Sequence, residues 1–188
     1  MYQPAQHKLP RQFYARDTAI VARDLLDKYL VRTFDGLVRI GRIVEAEAYL
    51  GPHDLAAHSS KGRTKRTEVM FGPPGHAYVY LIYGVHHCTN VVTGSEGSGS
   101  AVLLRAIEPV QNVDGRTSGP GLLSKAMGID RSMTGHDLLS DDFYLAHPPA
   151  SESFEVITTT RVGVGYAGEW ADRPLRFYIA GSPFVSRK

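Results

Sequence analysis

Apolar and polar positions alternate most regularly between Leu37 and Leu50, and that alternation predicts the longest strand of the chain. The β-type run from Val38 to Val44 leads into Val44-Glu45-Ala46-Glu47-Ala48-Tyr49-Leu50-Gly51, and the Gly51-Pro52 pair punctuates its end. Successive strand side chains point to opposite faces. Glu45, Glu47 and Tyr49 therefore share one face, and Val44, Ala46 and Ala48 the other. The small alanines suit close packing beneath, which would display two carboxylates and a ring together. A plain solvated strand edge carries such a pair equally well.

The helical and strand periods continue on either side. Asp17-Thr18 can cap a helix reaching about Val31, with Ile20, Val21, Leu25 and Tyr29 on one stripe and Arg23, Asp27 and Lys28 on the other. Residues 1–15 read as an extended arm lying on the body. The β-branched and aromatic stretch from His76 to Thr93, broken only at Gly84, predicts two antiparallel strands meeting near Tyr83-Gly84. Ser95 to Ser100 is a turn, and Ala101 to Ile107 a strand that is apolar except for Arg105. Gly119-Pro120-Gly121 opens a helix that Gly128 stops. Arg131 to Ala150 is loop-rich, and Phe154 to Thr160 and Leu175 to Ile179 read as closing strands. At 188 residues the chain is expected to form one domain spanning 1–188, long enough to bury a real core.

Composition narrows the function classes. The hydrophobic share of 43% and charged share of 21% are ordinary for a globular chain, and the net charge of +2 is no argument for nucleic acid by itself. A single cysteine, Cys88, excludes an intramolecular disulfide and a cysteine-rich zinc site, and weakly favours a reducing compartment. No apolar run approaches the ~20 residues of a membrane span. The polar first sixteen residues carry no secretory pattern.

Candidate chemistry is concentrated in a few places. Between Gly51 and Gly75 the periodicity disappears, and Lys61, Arg63, Lys65 and Arg66 form the densest basic cluster of the chain. A solvated loop and a phosphate-contacting loop both fit it. Tyr78 and Tyr80 share a strand face, where aromatics usually serve the core or cross-strand pairs. Tyr83, at a hairpin tip, has no core to enter and could wedge into a base stack. Arg105 inside an apolar strand needs an anionic partner, for which Glu47 is a candidate, unless it snorkels at an edge. The Arg161-to-Trp170 stretch has spaced glycines but neither a P-loop nor a dinucleotide fingerprint. Metal-ligand spacings are absent, His86 and His87 point to opposite strand faces, and no nucleophile elbow is present. Carboxylate-assisted hydrolysis remains.

The blocks Glu45-Ala46-Glu47-Ala48-Tyr49-Leu50-Gly51-Pro52 with His58, Tyr78-Val79-Tyr80-Leu81-Ile82-Tyr83-Gly84, Asn90, Ala101 to Pro109, Arg161 to Trp170 and Pro174 to Tyr178 together resemble the alkyladenine (3-methyladenine) DNA glycosylase family of the vertebrate type. The resemblance runs from about Ala15 to the end of the chain. It implies a single compact α+β domain with a curved, largely antiparallel sheet, surrounding helices and a protruding hairpin. It implies a monofunctional enzyme of base excision repair that flips an alkylated or deaminated purine out of double-stranded DNA, approached from the minor groove. The target atom is out of reach in a stacked duplex. By this resemblance Glu47 activates the hydrolytic water, while Arg105 and the Val162 carbonyl hold it. Tyr49, His58, Tyr80 and Asn90 form the base pocket, and Tyr83 fills the gap left by the flipped nucleotide. Arg63, Lys65 and Lys125 are expected to touch the DNA backbone; Lys125 would stand in for the family lysine that Leu122 replaces. Neither metal nor organic cofactor is implied, nor any membrane partner, and the protein is expected to be a monomer. It would work at the bacterial nucleoid or, in a eukaryote, in the nucleus. A non-catalytic lesion binder on the same fold is the alternative.

Overall fold

The computed structural model describes residues 3–188. Its axis is β2 (Leu37–Tyr49), the strand that the alternation predicts. Along its first half β2 pairs with β1 (Tyr29–Phe34), and from Glu45 onward it pairs with β8 (Arg176–Ile179). On the opposite edge β5 (Ser100–Gln111) accompanies it along most of its length, with register shifts on both sides of Glu45. Irregularities of this kind bend a strand and increase its twist. Here the bend falls where β2 exchanges one neighbour for another, and both Ile43 and Val44 enter the main core.

β3 (Ala77–Ile82) and β4 (His86–Thr93) form a hairpin that extends the sheet beyond β5, while β6 (Phe143–Ala146) lies beyond β1. β7 (Val156–Thr159) pairs with β8, and every pairing in this eight-stranded sheet is antiparallel. With α1 (Arg11–Tyr14), α2 (Thr18–Asp24) and α3 (Pro120–Met127) the chain forms one α+β domain around a curled sheet. Val44, Ala46 and Ala48 pack with Val21, Ala22 and Leu25 of the α2 region, and with Leu104 and Ile107 of β5, in one fully buried cluster. Burying one of the valine, leucine or isoleucine side chains contributes about 1.5–3 kcal/mol.

Three expectations change. Asp17 does cap α2, its carboxylate accepting the Ala19 and Ile20 N–H groups, but the helix ends at Asp24, with Leu25 as its C-cap, rather than near Val31. Asp27 adopts φ 71°, its N–H bonds the Ile43 carbonyl, and Tyr29 onward joins the sheet. Pairing along β2 thus overrides the helical stripe, as suits a β-branched and aromatic segment. The arm is likewise not extended: Pro4–His7 forms a 3-10 turn, α1 follows, and Leu9 and Tyr14 are fully buried (Met1 and Tyr2 lie outside the described residues). Two large apolar side chains within six positions anchor it. Finally, the loop-rich 131–150 stretch contains β6, whose four residues are all buried against the edge of β1.

Candidate active site

The bend in β2 determines what its polar face meets. Glu45 and Glu47 do share a face, but neither is displayed: both are fully buried. β8, the turn around Val162 and residues 182–188 cover what the alternation alone would leave open. Glu47 Oε1 accepts the Val162 N–H at 2.7 Å, Oε2 accepts the Tyr49 hydroxyl at 2.8 Å, and Arg105 approaches Oε1 at 3.5 Å. Val162 thus meets Glu47 through its N–H. Arg105 has the expected partner, but it lies closer to Glu45, at 3.2 Å. Burial is the largest influence on Glu47 and raises its pKa above the usual carboxylate range, against the opposing pull of Arg105, Val162 and Tyr49.

Tyr49, Arg105 and Val162, the three groups that hold Glu47, all line one cavity of about 490 Å³. Glu47 itself lies directly behind that wall. The remaining lining includes Tyr78, Tyr80 and Asn90 from the hairpin, His58 from the 3-10 turn His58–Lys61, and Tyr83 at the mouth. A ring-walled cavity suits a planar heterocycle, and its few polar atoms would orient the guest.

Each wall is held by neighbours. The Tyr78 hydroxyl meets His58 Nδ1 at 2.9 Å, and the His58 ring sits edge-on to Tyr80 with centroids 4.5 Å apart. Burial, followed by the charge of Arg66, pushes His58 down to about 4, so the ring is neutral at neutral pH. The Arg66 guanidinium stands 5.4 Å from the Tyr80 ring centroid. Arg161 stacks on Tyr49 at 4.8 Å and is locked in turn by Asp54. Asn90 spends its amide donor on the Tyr78 and Cys88 carbonyls, which leaves its oxygen as the free polar atom.

The hairpin tip is the opposite environment. Tyr83 is 87% exposed and holds φ 52°, beside Gly84 at φ 71°. A bulky residue seldom adopts the left-handed region, so the tip is a strained and outward-facing tyrosine. The expected backbone contacts lie outside the cavity. Arg63 leans on Phe71 and faces Glu68 at 3.5 Å, Lys65 is exposed, and Lys125 projects from α3 beside a second cavity shared with Arg39 and Arg116. One residue before Leu122, where the chain departs from the family pattern, a side chain on Gly121 would place its Cβ 2.9 Å from that of His86. The tip end of the hairpin, where β4 begins at His86, and the start of α3 therefore touch closely there.

Several participants escaped the sequence reading. Tyr78 was accessible to it, since it alternates with Tyr80. Asp54 and Arg161 were not, because they meet across 107 positions with no local pattern to join them. The same holds for Ser186, whose N–H reaches Glu45.

Comparison with known proteins agrees along nearly the whole chain. The family model described as methylpurine-DNA glycosylase matches residues 12–183. A Legionella pneumophila (strain Lens) protein named "Putative 3-methyladenine DNA glycosylase" is 64% identical over 181 residues, 96% of this chain and 98% of the relative. Proteins of the same name from Anaeromyxobacter dehalogenans (strain 2CP-1) and Myxococcus xanthus (strain DK1622) are 57% and 51% identical, covering 96% and 95% of this chain and 86% and 93% of theirs.

Proposed function

This chain belongs to the methylpurine-DNA glycosylase family, and on that premise we propose that it excises damaged purines from duplex DNA with a water activated by Glu47. The observation that carries this reading is the ring-walled cavity with a buried, incompletely paired carboxylate directly behind its wall. A flipped purine would stack against Tyr49 and Tyr80 with His58 at its edge. A cationic alkylated base gains a further ~0.5–2 kcal/mol from the ring faces. Asn90, which lines the cavity, would crowd the exocyclic amine of an ordinary guanine. Tyr83 would occupy the gap in the stack, a use that suits its exposure. Approach from the minor groove, and phosphate contacts from Arg63, Lys65 and Lys125, belong to the same reading.

In the chemical step the water oxygen bonds to the sugar anomeric carbon as the N-glycosidic bond breaks. The base leaves with the bonding electrons, and the water proton passes to Glu47. The carboxylate charge also stabilises the oxocarbenium-like transition state. For the water to reach Glu47, one of the contacts to Val162, Tyr49 or Arg105 must open, and the 3.5 Å contact to Arg105 is the loosest. Alkylated bases leave as neutral molecules; hypoxanthine additionally requires a proton. With water rather than an amine as nucleophile, base release leaves the strand intact. The named relatives are bacterial, and the same reading has this protein act at the nucleoid and as a monomer.

The test is single-turnover base release in chelator, from a duplex carrying one hypoxanthine and separately from methylated DNA, where 3-methyladenine and 7-methylguanine are the targets; ethenoadenine extends the series. Release followed by strand scission only on alkali treatment is the expected result. Tight lesion binding with no release from any substrate would make the protein a binder and remove Glu47 from any chemistry.

A further inference from the structure

The reaction assigned to Glu47 leaves the second buried carboxylate of β2, Glu45, without a part. Its surroundings are nevertheless more elaborate than a buried ion pair requires. Glu45 Oε1 accepts Arg105 Nε at 3.2 Å and Arg176 Nη1 at 2.9 Å, while Oε2 accepts the Ser186 N–H at 2.7 Å. Arg105 Nη2 donates to the Ser186 hydroxyl at 3.1 Å. Arg176 also donates to the carbonyls of Thr160 and Arg187, each at 2.8 Å. One hub therefore joins Arg105, the approach to the Val162 turn and the segment after β8.

The division of the Arg105 guanidinium is informative. Arginine clamps a carboxylate in a two-pronged pair either through its Nη1–Nη2 end, as Arg161 does on Asp54, or through its side edge, Nε and Nη2. Here that edge is taken by Glu45 and Ser186 together, so Nη1 alone approaches Glu47, at 3.5 Å. We propose that Glu45 and Ser186 are positioning residues for the active site: by engaging Nε and Nη2 of Arg105 they hold the guanidinium where only Nη1 approaches Glu47, at a distance that leaves the carboxylate available to a water. This rests on the glycosylase reading for its consequence, though not for its geometry.

The alternative arrangement is easy to specify. Without the Glu45 charge, Arg105 would turn its side edge to Glu47 and form a saturated pair that binds a proton poorly. The groups facing Glu47 are Tyr49 and Glu45 from β2, Arg105 from β5, Tyr80 and Cys88 from the hairpin, Arg176 opposite it on β8, and Val162 and Tyr166 from the turn region. Removing the like charge of Glu45 and tightening Arg105 act on Glu47 in the same direction, both favouring the carboxylate.

The experiment uses the full chain with Glu45→Gln and, separately, the milder Ser186→Ala. It measures single-turnover base release against pH, the ¹³C-carboxyl NMR titration of Glu47 in the free protein, and thermal unfolding. The expected result for Glu45→Gln is a rate lower by roughly tenfold to a hundredfold, the scale of a reacting group displaced by about 1 Å. The Glu47 titration midpoint and the acid limb of the rate profile should both move to lower pH. Ser186→Ala should move them the same way by less and remain folded even where Glu45→Gln is not. A loss of thermal stability with an unchanged Glu47 midpoint and unchanged acid limb would overturn the proposal and leave Glu45 a structural anchor. Should the unaltered protein release no base, the functional reading fails, while the Glu47 midpoint still decides the positioning claim.

Discussion

Two buried carboxylates stand on either side of Tyr49, each facing an arginine, and the two pairs are closed to different degrees. Asp54 receives Arg161 in a two-pronged pair at 2.6 and 2.9 Å, and its oxygens also accept the Leu50 and Ala56 N–H groups at 3.0 Å. Both side chains are completely covered. Glu47 receives Arg105 through a single nitrogen at 3.5 Å. Breaking a buried pair leaves an unpaired charge in a poorly solvating interior, which is expensive. A carboxylate with every acceptor position taken therefore contributes to the fold. One that burial holds above its usual pKa, with its arginine shared elsewhere, retains affinity for a proton. On the proposed function, two carboxylate–arginine pairs that flank one tyrosine thus divide between architecture and chemistry.

The comparison breaks first at Glu47. Glu47→Gln should lower base release by about 10²–10⁴-fold, the usual range for a lost general base. Lesion binding should persist in the same variant, measured on the same duplex. Asp54→Ala should instead cost about 3–5 kcal/mol of unfolding free energy in a denaturant titration. A loss below about 1 kcal/mol, accompanied by lost activity, would reverse the assignment of the two pairs.

A pH series sharpens the contrast. Because the folded-state pKa of Glu47 is raised above that of the unfolded chain, the fold favours its neutral form. Its ionisation therefore lowers stability as pH rises from the ordinary glutamate range through the raised folded value, and adds no further cost above it. Glu47→Gln should accordingly gain stability relative to the unaltered protein across that window, with the difference vanishing at lower pH. Base release should move oppositely, falling as pH drops through the raised value. Equal stability of the two proteins at all pH values would deny that burial strains this carboxylate.

The smallest effect on the fold is expected at the tip. Tyr83→Ala should change stability by no more than about 1 kcal/mol, since an exposed side chain is lost and a left-handed conformation remains. Capture of the flipped base should weaken by about 1–3 kcal/mol, the scale of one aromatic stacking contact. An unchanged single-turnover rate and lesion affinity would remove Tyr83 from the engagement of DNA.

Much of this was legible along the chain. Alternation located β2 and placed Glu45, Glu47 and Tyr49 on one face; composition located the hairpin and its exposed tip; glycine and proline bounded α3. Such features depend on backbone geometry over a few residues, which sequence expresses directly. The helix expected to reach Val31 failed for the complementary reason: a partner strand, invisible locally, offered residues 29–34 better hydrogen bonds and packing than another helical turn.

The sequence by itself therefore determined which residue types sit together on each local face, and, through its blocks, the family. Only the tertiary structure decided which face is covered and how tightly each carboxylate is paired. Asp54 with Arg161, and Glu45 with Ser186, meet across 107 and 141 positions. Burial and ion pairing are properties of surfaces brought together by the whole chain, whereas alternation is a property of neighbours two residues apart.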